Sequence, residues 1–207
     1  MANVNAPFGC APIKTLSGAK FNARGTRYYI ASGDSNAFYI GDVVTTTNTA
    51  DTNGVPGVTK ATVGTETPRG IIVGVETAPP NAVSLQGTDP SPATASTSVP
   101  ATKTRAYYVF VQDAPDIVFE IQGDATATNQ VAAKASYNCS LTIAAPSNTS
   151  IGNSATVIAS ASIATTSTLN VKLLGLVQVP GNAFGAYAKW LAMWNVHELS
   201  GAGTTAL

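Results

Sequence analysis

Arg105-Ala106-Tyr107-Tyr108-Val109-Phe110-Val111-Gln112 is followed by Asp113-Ala114-Pro115-Asp116 and then by Ile117-Val118-Phe119-Glu120-Ile121-Gln122. Two runs of β-branched and aromatic residues flank a cluster of turn formers, the pattern of strand, turn, strand. In the first run Tyr107, Val109 and Val111 share one face and Tyr108 and Phe110 the other, so both sides are expected to be covered. In the second, Ile117, Phe119 and Ile121 point one way and Glu120 and Gln122 the other, which predicts one wet face. The Asp/Pro turn between them predicts a hairpin.

The same signals recur along the chain. Strands are expected over Thr26–Ala31, Ala37–Val44, Gly70–Glu76, Cys139–Ala144, Ala155–Ile163, Val171–Val179 and Ala186–Val196, with Pro180-Gly181-Asn182 turning the last two into a hairpin. Helix formers behind a plausible cap occur only in Thr128–Ala135, about two turns in length. The fold class that follows is all-β: an antiparallel β-sandwich or barrel built from consecutive hairpins. Three stretches rich in Thr, Ala, Pro and Asn, namely Thr45–Pro68, Thr77–Lys103 and Ala144–Thr168, are expected to be long loops or weak edge strands.

The first 22 residues keep no period. Phe8, Ile13, Leu16 and Phe21 are spaced by Pro and Gly, too irregular for a core of their own and too apolar for a free tail. Residues 1–22 therefore read as an extended N-terminal arm that lies on its own domain or on a partner, with Lys14 and Lys20 as its only charges. Residues 23–198 read as a single β domain and 199–207 as a flexible C-terminal tail.

Composition narrows the function classes. The 207 residues hold 11 basic and 11 acidic side chains, and charged residues are 11% of the chain against about 25% in an average soluble protein. With no basic surplus to neutralise phosphates, nucleic acid and polybasic membrane attachment are not expected. The beginning of the chain has no basic and apolar signal pattern, so synthesis in a cytoplasm is expected, with Cys10 and Cys139 as free, buried thiols. A neutral Ser/Thr/Ala surface suits a protein packed among neighbours.

Catalytic material is scarce. His197 is the single histidine and close-spaced zinc ligands are absent from the sequence, so neither a metal nor another cofactor is expected. Asp113, Asp116 and Glu120 are the densest carboxylates, but Pro115 and the strand behind it leave too few ligands for calcium. Gly33-Asp34-Ser35 resembles the nucleophile block of GDSL-type esterases. Those enzymes place an Asp three residues before the base histidine, where this chain has Trp194, and they need long helices. Ser35 is read as a turn residue and His197 as a polar strand end. No enzyme activity and no small-molecule substrate are expected. The last strand puts Trp190, Ala192, Trp194 and Val196 on one face and Tyr187, Leu191 and Met193 on the other, which makes Trp194 a core residue or an interface anchor.

Several blocks, in order, are similar to segments of tailed-bacteriophage capsid decoration (cement) proteins. They are Asn5-Ala6-Pro7-Phe8-Gly9, Tyr28-Tyr29-Ile30-Ala31-Ser32-Gly33, Phe38-Tyr39-Ile40-Gly41-Asp42, Arg69-Gly70-Ile71-Ile72-Val73-Gly74-Val75-Glu76 and Phe119-Glu120-Ile121-Gln122. Near the end come Gly175-Leu176-Val177, Gly181-Asn182-Ala183-Phe184-Gly185 and Asn195-Val196-His197-Glu198. The resemblance implies a β-rich protein on the outer surface of an icosahedral head, bridging subunits of the major capsid protein, with no active site to carry over. The expected partners are the major capsid protein and further copies of the chain, as a dimer or trimer, with Phe8, Ile13, Leu16, Phe21 and Trp194 as the capsid-binding set. Another structural or adhesive β protein, such as a tail or fibre component, is the alternative class, and a GDSL-like esterase a distant third.

Overall fold

The computed structural model describes residues 3–61, 66–76, 98–146 and 152–200. Val43-Val44 and Ile71-Ile72 explain its architecture. Adjacent residues of a strand point to opposite faces, so two apolar neighbours in a row call for a hydrophobic environment on both sides. Val44 and Ile72 line one core, with Tyr28, Ile30, Phe38, Val58, Val99, Val109 and Val111. Val43 and Ile71 line a second, with Phe119, Ile121, Leu173, Trp190 and Trp194. The strands carrying these pairs, β4 (Val43–Ala50) and β6 (Gly70–Glu76), are thus a wall shared by two cores.

The first core fills a closed barrel. Its strands run in the order β2 (Thr26–Ile30), β5 (Pro56–Lys60), β4, β6 and β8 (Tyr107–Gln112), and β8 returns antiparallel to β2. Among the described residues, the parallel contact in this barrel is between β2 and β5, where Tyr29 faces Gly57. A short pair, β3 (Phe38–Tyr39) and β7 (Ser98–Val99), supplies Phe38 and Val99 to the interior. The second core lies under a five-stranded antiparallel sheet ordered β1 (Ala11–Thr15), β9 (Ile117–Gln122), β14 (Lys189–Trp194), β13 (Val171–Leu176) and β10 (Asn138–Cys139). The pair β11 (Leu141–Thr142) and β12 (Val157–Ile158) contributes Leu141 and Ile158 to the same core.

The all-β class therefore holds, and β6 and β9 have the bounds the sequence pattern sets. Several local readings are corrected. Asp113-Ala114-Pro115-Asp116 does not close a hairpin: β8 belongs to the barrel and β9 to the five-stranded sheet, so this turn carries the chain from one to the other. The chain is consequently not a series of consecutive hairpins, although β13 and β14 do pair as expected. Phe110 is not covered, being 37% exposed, while Tyr108 beside it is buried under Arg27, whose guanidinium carbon lies 3.9 Å from the ring centre. The expected wet face of β9 is shielded as well: Gln122 is buried because its side chain takes the Ala6 N–H and donates to Val4 O.

Within Thr45–Pro68, expected as a long loop or weak edge strand, β4 continues to Ala50 and β5 follows, the two pairing antiparallel within the barrel. Thr128–Ala135 holds only a short 3-10 turn at Ala132–Lys134. Of the stretch Thr77–Lys103, residues 77–97 lie outside the described residues, and the C-terminal tail 199–207 is described only to Ser200.

The corner between β3 and β4 pins the two halves together. Asp42 is 0% exposed, and a buried carboxylate must be paired or fully hydrogen-bonded. Its Oδ2 takes the Tyr39 N–H at 2.9 Å and Lys60 Nζ at 2.8 Å, and its Oδ1 lies 2.5 Å from Ser154 Oγ. The N-terminal segment crosses the same point, Cys10 N–H donating to Gly41 O at 2.9 Å. Gly9 has φ +76°, and a Cβ there would stand 2.7 Å from the Ser154 Cβ and 2.8 Å from Gly41 O, so this crossing requires glycine.

Removing one partner of a buried ion pair strands the other. Asp42→Ala should therefore cost about 3–5 kcal/mol in denaturant unfolding. Trp194 is 4% exposed with its ring 4.9 Å from that of Phe119, and Trp194→Ala should cost a similar ~3–5 kcal/mol. Unfolding midpoints unchanged in either variant would contradict this account of the two cores.

Candidate functional site

The residues that could carry chemistry are held by structural contacts. Asp34 accepts the Asn36 N–H at 2.7 Å and the Thr59 hydroxyl at 2.7 Å, which places Ser35 in an exposed Asx turn between them. Lys103 Nζ donates to Asp34 O and to Asn36 O at 2.6 Å and fastens the same turn. His197 lies elsewhere, fully buried, its ring centre 6.1 Å from that of Trp194 and its Nδ1 taking the Leu199 N–H at 3.1 Å. Ser35 and His197 thus sit in separate sets of contacts.

The Asp113 carboxylate, in the turn between β8 and β9, is engaged too. Asp113 accepts from the Tyr28 hydroxyl at 2.8 Å and from the Thr26 hydroxyl at 3.1 Å, and Arg69 approaches it at 3.6 Å. Burial, then the bond to Asp113, pushes the Tyr28 hydroxyl up to about 12, with Arg69 opposing. Arg69 also reaches Glu198 at 3.8 Å, whose carboxylate takes the Thr45 and Thr46 hydroxyls and the Thr46 N–H. This group closes one end of the barrel with the segment after β14. Burial raises both thiols well above their ordinary value, for Cys10 with further help from Asp42 and Cys139, so both stay protonated and unreactive. Among the described residues, no group of three or more His, Cys, Asp and Glu side chains is placed to hold a metal.

The five residues read as a binding set are separated by the fold. Trp194 is in the second core, and Phe21 packs half-buried against that core. Phe8 is half-buried with Lys189 Nζ 5.5 Å from its ring centre. Ile13 and Leu16 face outward, 38% and 60% exposed. They belong to a small hairpin. β1 pairs with β9 along the edge of the sheet, and the chain then turns back so that Thr15 N–H donates to Ala19 O at 2.8 Å and Phe21 N–H to Ile13 O at 2.9 Å. Gly18, at φ +94°, makes the turn, and the Leu16 N–H donates to Asp116 O at 2.8 Å. The arm is thus laid on its own domain and carries an outward apolar edge.

Sequence reasoning missed a second exposed apolar group. Val4 and Val179 are exposed at a cleft of about 180 Å³ that Asn3, Asn182, Tyr187 and Lys189 also line, and Phe184, exposed as well, has its ring centre 5.6 Å from that of Trp190. Asn3 holds the arm there, donating to Ala183 O and Ala186 O at 2.8 Å and accepting the Ala183 N–H at 3.0 Å. The available signal was two large apolar residues, Val179 and Phe184, flanking the turn Pro180-Gly181-Asn182.

Compared with known proteins, the chain matches no family model, no curated sequence and no solved structure.

Burial, and next the positive field of Arg69, holds His197 below its ordinary value of 6.5, against the opposing pull of the Arg69 backbone, Glu198 and Asp113. The unfolded chain therefore takes the proton first as pH falls. This contribution to stability is complete above about 6.5 and shrinks as pH drops from there towards the lowered native value. Thermal midpoints measured across this window should fall less steeply in His197→Asn than in the unchanged chain. Parallel pH profiles would remove His197 from this role.

Proposed function

We propose that this chain is a capsid decoration protein that binds the outer surface of a phage head, bridges major capsid protein subunits and so stabilises the shell. The observation that supports binding over catalysis is the N-terminal hairpin. Its backbone is paired within the chain, yet it turns Ile13 and Leu16 towards solvent at the edge of the sheet. Apolar residues exposed on an already ordered element are suited to burial against a partner, because little further ordering is needed on docking. The ordered series of blocks similar to decoration proteins supports a capsid as that partner and the virion surface as the location. Self-association there, as a dimer or trimer, is part of the same reading.

The set of binding residues is accordingly narrower than the sequence pattern proposes. Ile13 and Leu16 make direct contact, Phe8 and Phe21 hold the hairpin on the domain, and Trp194 supports the sheet from inside. Cutting the arm away would expose β9 and take Cys10 out of the core, so point changes test the reading better than deletion. Purified full-length chain added to undecorated heads of the phage that encodes it should co-sediment with them at a fixed stoichiometry and raise the temperature at which they break. Ile13→Ser with Leu16→Ser should fold normally and bind at least about tenfold more weakly, as expected for loss of buried anchors. Heads that take up none of the unchanged chain would overturn the proposal.

A further inference from the structure

The hairpin register carries information that the sequence pattern does not. Lys14 and Lys20 pair directly across its two legs, both exposed. Like charges directly opposite each other on neighbouring strands repel, so the register destabilises the free hairpin slightly. None of the ion pairs among the described residues includes either lysine. The chain as a whole is balanced at 11 basic and 11 acidic residues, so this is a local surplus and not part of a basic surface. It sits on the same tip as Leu16 and beside Ile13, the exposed apolar residues of that element.

We propose that the hairpin tip, Ile13 to Lys20, docks on a protein surface that offers an apolar depression for Leu16 flanked by one or two carboxylates. These carboxylates would lie between the two ammonium groups, which turns their repulsion in the free chain into attraction in the complex. This inference rests on the capsid reading, and it specifies the chemistry of the capsid site. Two charges are too few for a nucleic-acid interface, where several phosphates are neutralised together, and too few for attachment to an anionic membrane. A protein surface is the class of partner that uses a large exposed side chain and a pair of cations side by side. The position also fits, since the tether from Leu16 to Asp116 and the turn at Gly18 hold the tip before any partner arrives.

Charge reversal separates this from a purely apolar contact. Lys14→Glu with Lys20→Glu keeps two like charges opposite each other, so the free chain should retain its stability while the sign of the tip is inverted. In co-sedimentation with undecorated heads this variant should bind about tenfold or more weakly than the unchanged chain, and Lys14→Arg with Lys20→Arg should bind nearly normally. Added salt should weaken the unchanged chain and leave Lys14→Ser with Lys20→Ser almost unaffected. Normal head binding by the Glu variant would overturn the docking chemistry and leave the capsid reading standing, whereas no binding by the unchanged chain would overturn both. Retention of the unchanged chain, but not the Glu variant, on phosphatidylserine vesicles or duplex DNA would replace the protein partner with an anionic lipid or a nucleic acid.

Discussion

The carboxylate of Asp42 is the point on which the rest of the structure depends. It has no access to water, and its oxygens are instead met by Lys60, the Tyr39 N–H and Ser154. Each of these comes from a different part of the chain. Lys60 ends β5 of the barrel, Tyr39 ends β3, and Ser154 belongs to the segment leading into β12 beside the second core. An ion pair of this kind adds little net stability compared with an apolar replacement, because desolvation offsets the attraction. Its effect is selective: an arrangement that left the carboxylate buried without these partners would be strongly disfavoured. The buried acid therefore fixes how the barrel meets the sheet, and the apolar residues around it supply the bulk of the free energy.

From that point the N-terminal segment is also determined. Gly9 and Gly41 allow the backbone to cross next to Asp42, and Cys10 enters the second core immediately afterwards. The chain then emerges along the free edge of β9 as β1, covers it, and folds back on itself. An uncovered edge strand would invite uncontrolled pairing with other chains. Covering that edge with a hairpin pairs the backbone of β9 and leaves the side chains of Ile13, Lys14, Leu16 and Lys20 at the surface in its place.

Much of the fold was legible in the sequence, and the failures share a physical cause. β6 and β9 are bounded by Gly or Asp/Pro turns and rich in Ile, Val and Phe, so local pattern defines them. What local pattern cannot tell is whether a turn returns a strand to its neighbour or sends it to another sheet. Asp113-Ala114-Pro115-Asp116 has the same turn chemistry either way, and the difference lies in distant pairings, β8 with β6 and β2, β9 with β1 and β14. β5 was legible only as part of a long loop or weak edge strand because Pro56-Gly57-Val58-Thr59-Lys60 carries a single large apolar residue, Val58, and takes its place by closing the barrel between β2 and β4. Of the site, the apolar residues of the arm were visible but their fates were not. Phe21 and Trp194 turn inward and Ile13 and Leu16 outward because of pairing and crossing, which spacing along the chain does not encode.

The division of labour within the arm bears on how binding can be strong from so few exposed residues. A disordered arm would lose conformational entropy residue by residue on docking, roughly 1–2 kcal/mol for each backbone position fixed. Here that cost is met during folding, through the bonds of Thr15 to Ala19 and of Phe21 to Ile13 and through the clamps of Gln122 and Asn3 on the preceding residues. In the proposed complex the tip would meet its partner already ordered, so the burial of Leu16 and Ile13 would appear largely as affinity. In the proposed complex the mutual repulsion of Lys14 and Lys20 would act in the same direction, since it raises the energy of the free state slightly and a partner of opposite sign would relieve it. On the proposed capsid reading, a small contact built this way would gain in strength over a lattice of identical sites, since a chain bridging two subunits would hold its second contact at high effective concentration.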